Sequence, residues 1–274
     1  MSILKVKNLS FSYEEKQVLN DVSINLSEGE ISLLIGSNGC GKSTLLHNIL
    51  GHLTPSSGAI EIEDVDIATL KDKDIARKIA YVPQVHSRSF PYTVEQIVLM
   101  GRTASLDGFS GPKKADYEIT HDALEKAGVI HLKDRIYTQI SGGELQLVVL
   151  ARALAQSTPI VLLDEPTAHL DFRNELNFLE RLAYMVSELD VAILMATHSP
   201  NQAFYFEDRG IDTKVTSIKD GKIHSAGSVD EVITPKTIAE VYGIHASIAE
   251  SEIDGKMKKQ IIPIRTLEGK KNED

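Results

Sequence analysis

Hydrophobic positions along this chain follow two regimes. Over residues 3–35, 59–63 and 79–83 they alternate with polar ones or form short runs: "ILKVKNLSFSY", "VLNDVSINL", "ISLLI", "AIEIE" and "IAYVP". Such patterns, closed by turns like "SEGE" (27–30) and "PSSG" (55–58), predict strands. A helix is expected from Lys42 to just before Gly51, a residue suited to closing it. From about 91 to 156 the period becomes helical. Thr93 and Gln96 have capping-box spacing before "VEQIVLMGR", and "KKADYEITHDALEKAG" stops at Gly128. Ser141 and Glu144 repeat that spacing before "LQLVVLARAL". After 159 strands and helices alternate again: "IVLLD", a helix over 171–189, and "VAILMAT". A hairpin turning at Asp220-Gly221 follows, then a helix over 235–242 with Pro235 in its first turn. A last hairpin turns at Asp254-Gly255, and 267–274 read as a frayed tail.

"ISLLI", "IVLLD" and "VAILMAT" are apolar on both faces, as strands inside a parallel sheet are. The pattern therefore predicts an α/β core interrupted by a helical insertion. Its expected divisions are 1–90 and 157–245 for the two parts of the core, 91–156 for the helical subdomain, and 246–274 for a hairpin and tail.

Composition narrows the function. The 274 residues suffice for one large domain or one with an embedded subdomain. With 42% hydrophobic and 25% charged residues, the chain reads as soluble and globular. A net charge of −10 disfavours a broad nucleic-acid face, and no nucleic-acid partner is expected. The single cysteine, Cys40, excludes an intrachain disulfide and is consistent with a reducing compartment. "MSILKVKNLSF" lacks the order of a signal peptide, and no uncharged apolar run approaches the ~20 residues of a membrane span. A membrane role would come through a partner.

"GSNGCGKST" (36–44) fits G-x-x-x-x-G-K-[ST] between an apolar strand and a helix, the context a phosphate loop requires. Gly36, Ser37, Asn38, Gly39, Cys40 and Gly41 would wrap phosphates with backbone N–H groups; Cys40 reads as a small tolerated residue. Lys42 would reach the outer phosphates, Ser43 would bind Mg²⁺, and Thr44 opens the helix. "IVLLDEP" ends an apolar strand in two acids, at the strand end where α/β sheets bind ligands. Asp164 is then placed to hold Mg²⁺, and Glu165 to polarise a water that attacks the γ-phosphate. His198 after "VAILMAT" and Gln84 after "AYVP" end two more strands on the same edge. They suit γ-phosphate sensing and Mg²⁺ or water binding; a lone histidine in such a place is more often structural. Tyr13 fits adenine stacking or an ordinary core position equally well. "QISGGELQ" (139–146) opens a second helix with small residues, a second anion site by the same logic.

Together these motifs resemble the ATPase subunit of ABC transporters, in the family's order, from Lys5 to about Ile264. The resemblance implies a P-loop NTPase core with a mixed sheet, an N-terminal antiparallel β region and the inserted helical subdomain. It makes "FSY" with Tyr13 the adenine-stacking region, "YVPQ" with Gln84 the Q-loop, and "ISGGELQ" the signature. "IVLLDE" becomes the segment bearing the Mg²⁺ aspartate and catalytic Glu165, "AHLD" with Asp171 the D-loop, and "ATHS" the segment with the switch histidine, His198. In this family two ATPases face head to tail. Ser141, Gly142, Gly143, Glu144 and Asp171 would therefore serve the partner's ATP, and the second anion site needs no second nucleotide in the same chain.

"TVEQIVLMGR", "SGGE" and "TPKTIAEVYGI" look like the ATPases of metal-chelate importers for ferric siderophores, haem or cobalamin; "THSPNQ" is closer to molybdate and tungstate relatives. The chain departs from the family pattern at Ile140, Leu145 and Leu147. The resemblance implies ATP and Mg²⁺ as cofactors and a homodimer on two copies of a multi-span permease. It further implies an extracytoplasmic solute-binding protein and a peripheral place on the cytoplasmic face of the cell membrane. The alternatives are a soluble ATPase, such as one for iron–sulfur assembly, and the ATPase of an exporter. The stretch between Lys42 and Ser141 is too short for the coiled coil of DNA-repair types.

Overall fold

The computed structural model describes residues 1–84, 90–106 and 111–267; the expected frayed tail lies, beyond Leu267, outside them. The chain opens with β1 (Ser2–Tyr13), β2 (Lys16–Ser27), β3 (Ile31–Ile35), α1 (Lys42–Ile49), β4 (Ser57–Ile62), β5 (Val65–Asp66), α2 (Asp72–Ala76) and β6 (Ile79–Val82). Three helices follow: α3 (Val94–Leu99), α4 (Lys114–Lys126) and α5 (Gly142–Ala155). Alternation resumes with β7 (Ile160–Asp164), α6 (Phe172–Leu189), β8 (Ala192–Thr197), α7 (Asn201–Glu207), β9 (Thr213–Lys219) and β10 (Lys222–Ser228). Then come α8 (Val229–Val232), α9 (Pro235–Tyr242), β11 (Ile244–Ile253) and β12 (Lys256–Thr266).

A six-stranded sheet in the order β10-β9-β3-β8-β7-β6 forms the centre; all its pairings are parallel except that of the edge strand β10. The fold is thus the expected mixed α/β core. Strand residues alternate between two apolar cores. Leu33, Leu163 and Met195 face the one shared with α5 and α6. Leu34, Leu162 and Leu194 face the one shared with α1 and the antiparallel sheet β2-β1-β4-β5. Burial on both faces explains why β3, β7 and β8 carry no polar alternation.

The arrangement brings four strand ends to one edge. Gly36 follows β3, Gln84 lies two residues past β6, Asp164 ends β7, and His198 follows β8. Helices α3, α4 and α5 pack on one another, and α5 packs on β6. Buried Arg102 pins them: its Nε lies 3.1 Å from Asp116 Oδ1, and its Nη1 donates to the Ala155 carbonyl at 2.8 Å. The Lys113 N–H and Arg102 hold the Asp116 carboxyl below its usual range. Both expected capping boxes form, Thr93 with Gln96 and Ser141 with Glu144. The periodicity gave no sign of α2, α7 and α8, which at five, seven and four residues are too short to show a 3.6-residue repeat.

Candidate active site

The loop after β3 is held from outside by β2. Gly41, at φ +112°, caps α1, and a Cβ there would meet Leu19 Cδ2 at 2.8 Å and the Val18 carbonyl at 3.2 Å. Only glycine combines that backbone with that approach. Lys42 is buried, and its Nζ donates to the Gly36 carbonyl at 2.8 Å and the Ser37 carbonyl at 3.3 Å. In front of the loop lies a cavity of about 270 Å³. Asn38, Gly39, Lys42, Ser43 and Thr44 form one wall, Gln84 and Glu165 another, and Val18 reaches in from β2.

Glu165 is the focus. Lys42 Nζ lies 3.4 Å from its Oε1; His198 Nδ1 and Gln84 Nε2 each lie 3.4 Å from its Oε2. Residues far apart in sequence thus meet on one carboxylate. Glu165 also adopts φ +44°, a left-handed backbone that non-glycine residues rarely take. Its N–H donates to the Ala196 carbonyl of β8 at 2.9 Å, which fixes this turn to the sheet. Strained backbone over-determined by its surroundings is typical of functional sites.

Asp164 is buried, and among the described residues its Oδ1 has no hydrogen-bond partner. Burial pushes its pKa up; a hydrogen bond from Ser43 opposes this, and the charge of Glu165 adds to it. Burial, followed by the Asp164 charge, likewise raises the Tyr81 hydroxyl on β6. The carboxylate, the Ser43 hydroxyl and the Gln84 amide are oxygen-rich donors of the class Mg²⁺ takes.

His198 is half exposed, but its loop is fixed. Thr197 Oγ1 donates to Gln202 Oε1 at 2.8 Å and accepts from the Ser199 N–H at 3.0 Å. Gln202 Nε2 donates to Thr167 Oγ1 at 2.8 Å and Glu175 Oε1 at 2.7 Å. Sequence reasoning missed Gln202 as it missed Val18; the only signal was a glutamine in "THSPNQ".

The remaining expected site residues do not line this cavity. Tyr13 is exposed, and Phe11 braces it edge-on with ring centroids 4.8 Å apart. Asp171 caps α6, accepting from the Asn174 N–H at 2.9 Å. Ser141 Oγ donates to Glu144 Oε2 at 2.7 Å, and hydrogen bonds from the Ser141 backbone and hydroxyl hold the Glu144 carboxyl low. The two signature glycines differ. A Cβ on Gly142 would meet nothing within 4 Å, whereas one on Gly143 would strike the Asn174 side chain at the start of α6.

A phosphate loop, an acid pair and a histidine on one sheet edge describe a nucleotide-hydrolysing centre, and residues 19–168 match the family model described as ABC transporter. The chain belongs to the ABC transporter family. It is 37% identical to the hemin import ATP-binding protein of Bordetella pertussis, over 89% of this chain and 94% of the relative. A solved structure described as an inward-facing, metal-chelate type ABC transporter superimposes with a TM-score of 0.85 at 30% identity, covering 96% of this chain and 98% of the other. A bacterial ABC transporter cassette solved as a dimer gives 0.70 at 26% identity, covering 82% and 98%. The chain is therefore an ABC ATPase, of the class that couples ATP hydrolysis to transport. Among the described residues no helix is long and apolar enough to cross a membrane.

Asp164 yields a prediction whose sign is fixed by its burial. A carboxyl with a raised folded pKa contributes stability at acid pH that is lost as pH rises through that pKa. Asp164→Asn should therefore leave the nucleotide-free protein at least as stable as wild type at pH 7, with any advantage shrinking towards pH 3. Urea melts across that range check it; a variant less stable at pH 7 than at pH 3, relative to wild type, would show the carboxylate to be stabilising.

Proposed function

We propose that this chain is the ATPase subunit of an importer for a metal chelate, acting as a head-to-tail homodimer on the cytoplasmic face of the membrane. The convergence of Lys42, Gln84 and His198 on Glu165 at the mouth of the phosphate-loop cavity carries the reading. Lys42 binds the outer phosphates, leaving its loop carbonyls or sharing them. Glu165 orients and deprotonates a water. His198 holds the γ-phosphate side of the site, and Gln84 reports its state. Ser43, Asp164 and Gln84 would hold Mg²⁺, which neutralises phosphate charge when bound. Tyr13 stacks on adenine from the rim.

Ser141, Gly142, Gly143, Glu144 and Asp171 serve the ATP of the second copy. The open approach over Gly142 supports this, since a helix start needs clear space to meet an anion. A dimeric solved relative supports the assembly, and the hemin and metal-chelate relatives support the cargo class. Two permease copies would dock beside α3 and Gln84, with an extracytoplasmic binding protein delivering the solute. Moving a two-state permease from 1:99 to 99:1 takes about 5.5 kcal/mol, within reach of two bridged ATPs.

Three measurements test the parts separately. Glu165→Gln should keep ATP binding and lose hydrolysis by about 10²–10⁴-fold, the usual worth of a positioned base. Lys42→Ala should instead weaken binding, and near-normal turnover in Glu165→Gln would remove that residue from its role.

For the head-to-tail arrangement, a heterodimer with Lys42→Ala in one copy and Ser141→Arg in the other should bind one ATP. Both changes in the same copy should leave no intact site. The reverse pattern would show that the signature serves its own chain.

For the importer itself, the tagged full chain should co-purify from detergent-solubilised native membranes with a multi-span protein. Recovery only as a soluble ATPase would favour the non-transport alternative.

A further inference from the structure

Gln202 stands second in α7 and is 3% exposed. Its amide makes three hydrogen bonds to segments around the site. The Oε1 accepts from Thr197 Oγ1 at 2.8 Å, and Thr197 directly precedes His198. The Nε2 donates to Thr167 Oγ1 at 2.8 Å, and Thr167 lies two residues past Glu165. The same nitrogen donates at 2.7 Å to Oε1 of Glu175, in the first turn of α6. The partners fix the amide's orientation. A carboxylate only accepts, so the atom facing Glu175 is the nitrogen. The Ser199 N–H already donates to Thr197 Oγ1 at 3.0 Å, which leaves the Thr197 proton for the amide oxygen.

Both ends of this network are anchored. After Glu165 the chain makes two successive tight turns: the Ala168 N–H donates to the Glu165 carbonyl at 3.2 Å, and the Leu170 N–H to the Thr167 carbonyl at 3.1 Å. The start of α7 is held from β12, whose Ile261 N–H donates to Asn201 Oδ1 at 2.8 Å. The Gln202 N–H itself closes on the Ser199 carbonyl at 3.2 Å. Gln202 is therefore a fixed post between two short loops. Thr197 and Thr167 are buried with it.

Packing alone asks for no amide here. Its neighbours Ala203, Phe204 and Phe206 are buried as apolar groups, and leucine would fill the place with less desolvation. An amide instead offers an acceptor and two donors from one plane, and this one uses an acceptor site and both donors. The two loops it joins carry the side chains that meet at 3.4 Å, His198 Nδ1 and Glu165 Oε2. We propose that Gln202 is a positioning residue for hydrolysis: its buried amide locks the loop of His198 to the turn after Glu165 and so sets the separation of the two side chains. Misplacing a catalytic group by about 1 Å can lower a rate on the order of 10²-fold, so a link of this kind matters to turnover. The proposal rests on the reading of Glu165 and His198 as the hydrolysing pair.

The test uses the full chain with ATP and Mg²⁺, in steady-state kinetics and thermal melts. Gln202→Glu keeps the length and the acceptor for Thr197 but sets a second carboxylate against Glu175. It should lower kcat about 10–100-fold, with KM for ATP within about twofold of wild type. Glu175→Gln still offers the amide an acceptor and should change kcat less than about threefold. Combining the two reverses donor and acceptor, since an amide at position 175 can donate to a carboxylate at position 202. The double variant should return kcat to within about threefold of wild type, a rescue that a residue which merely fills space would not show. Thr197→Val cuts the same link from the loop side and should lower kcat about tenfold at unchanged KM. Wild-type kcat in Thr197→Val would overturn the proposal even where Gln202→Glu does not fold. So would a double variant no faster than Gln202→Glu alone, or a Gln202→Glu whose KM rises as far as its kcat falls. A Gln202→Glu that melts lower yet turns over at the wild-type rate below its melt marks a structural amide and overturns it too. Wild-type kcat in His198→Ala would overturn the site reading itself, a separate failure.

Discussion

Two acids at the end of a buried strand are the constraint around which this molecule is built. β7 carries only apolar side chains into the sheet and then presents Asp164, which is buried, and Glu165, which faces the cavity. Neither acid is comfortable there. Asp164 keeps an oxygen without a partner, and Glu165 takes a left-handed backbone, a departure worth about 1–2 kcal/mol. The surroundings bear this load: two apolar cores clamp β3, β7 and β8, and the Ala196 carbonyl locks the Glu165 turn. Gln84 and His198 meet the Glu165 carboxylate from beyond the ends of β6 and β8, the strands on either side of β7, and Lys42 meets it from the first turn of α1.

Among the helices between β6 and β7, Arg102 supplies rigidity by joining the end of α5 to the first turn of α4. Gly143 fixes the other end. Its missing Cβ makes room for Asn174, which the Asp171 side chain caps, so the start of α5 and the start of α6 pack directly on one another.

Much of this was legible in the sequence, for physical reasons. Burial on both faces removes polar alternation, so β3, β7 and β8 announced a parallel core. A phosphate loop needs glycines and lysine at fixed spacing, and strand ends point to one edge, so Lys42, Gln84, Asp164, Glu165 and His198 could be placed together. What stayed hidden depends on contacts between distant segments. The strand order β10-β9-β3-β8-β7-β6 has no local signature. Gln202 joins Thr197 to Thr167 and Glu175 through a network that no spacing reveals. The two signature glycines look alike until Asn174 is seen against one of them.

Cys40, the chain's single thiol, sits in the loop between β3 and α1 that would wrap the nucleotide under the proposed function. Burial pushes its pKa up and Lys42 pulls the other way, so while the loop holds this shape the sulfur is a shielded and sluggish nucleophile. The protein therefore carries a native chemical reporter that requires no background cysteines to be removed. The speed at which a small alkylating agent reaches that sulfur measures how often the loop breathes, and a bound nucleotide should slow it by covering the same turn.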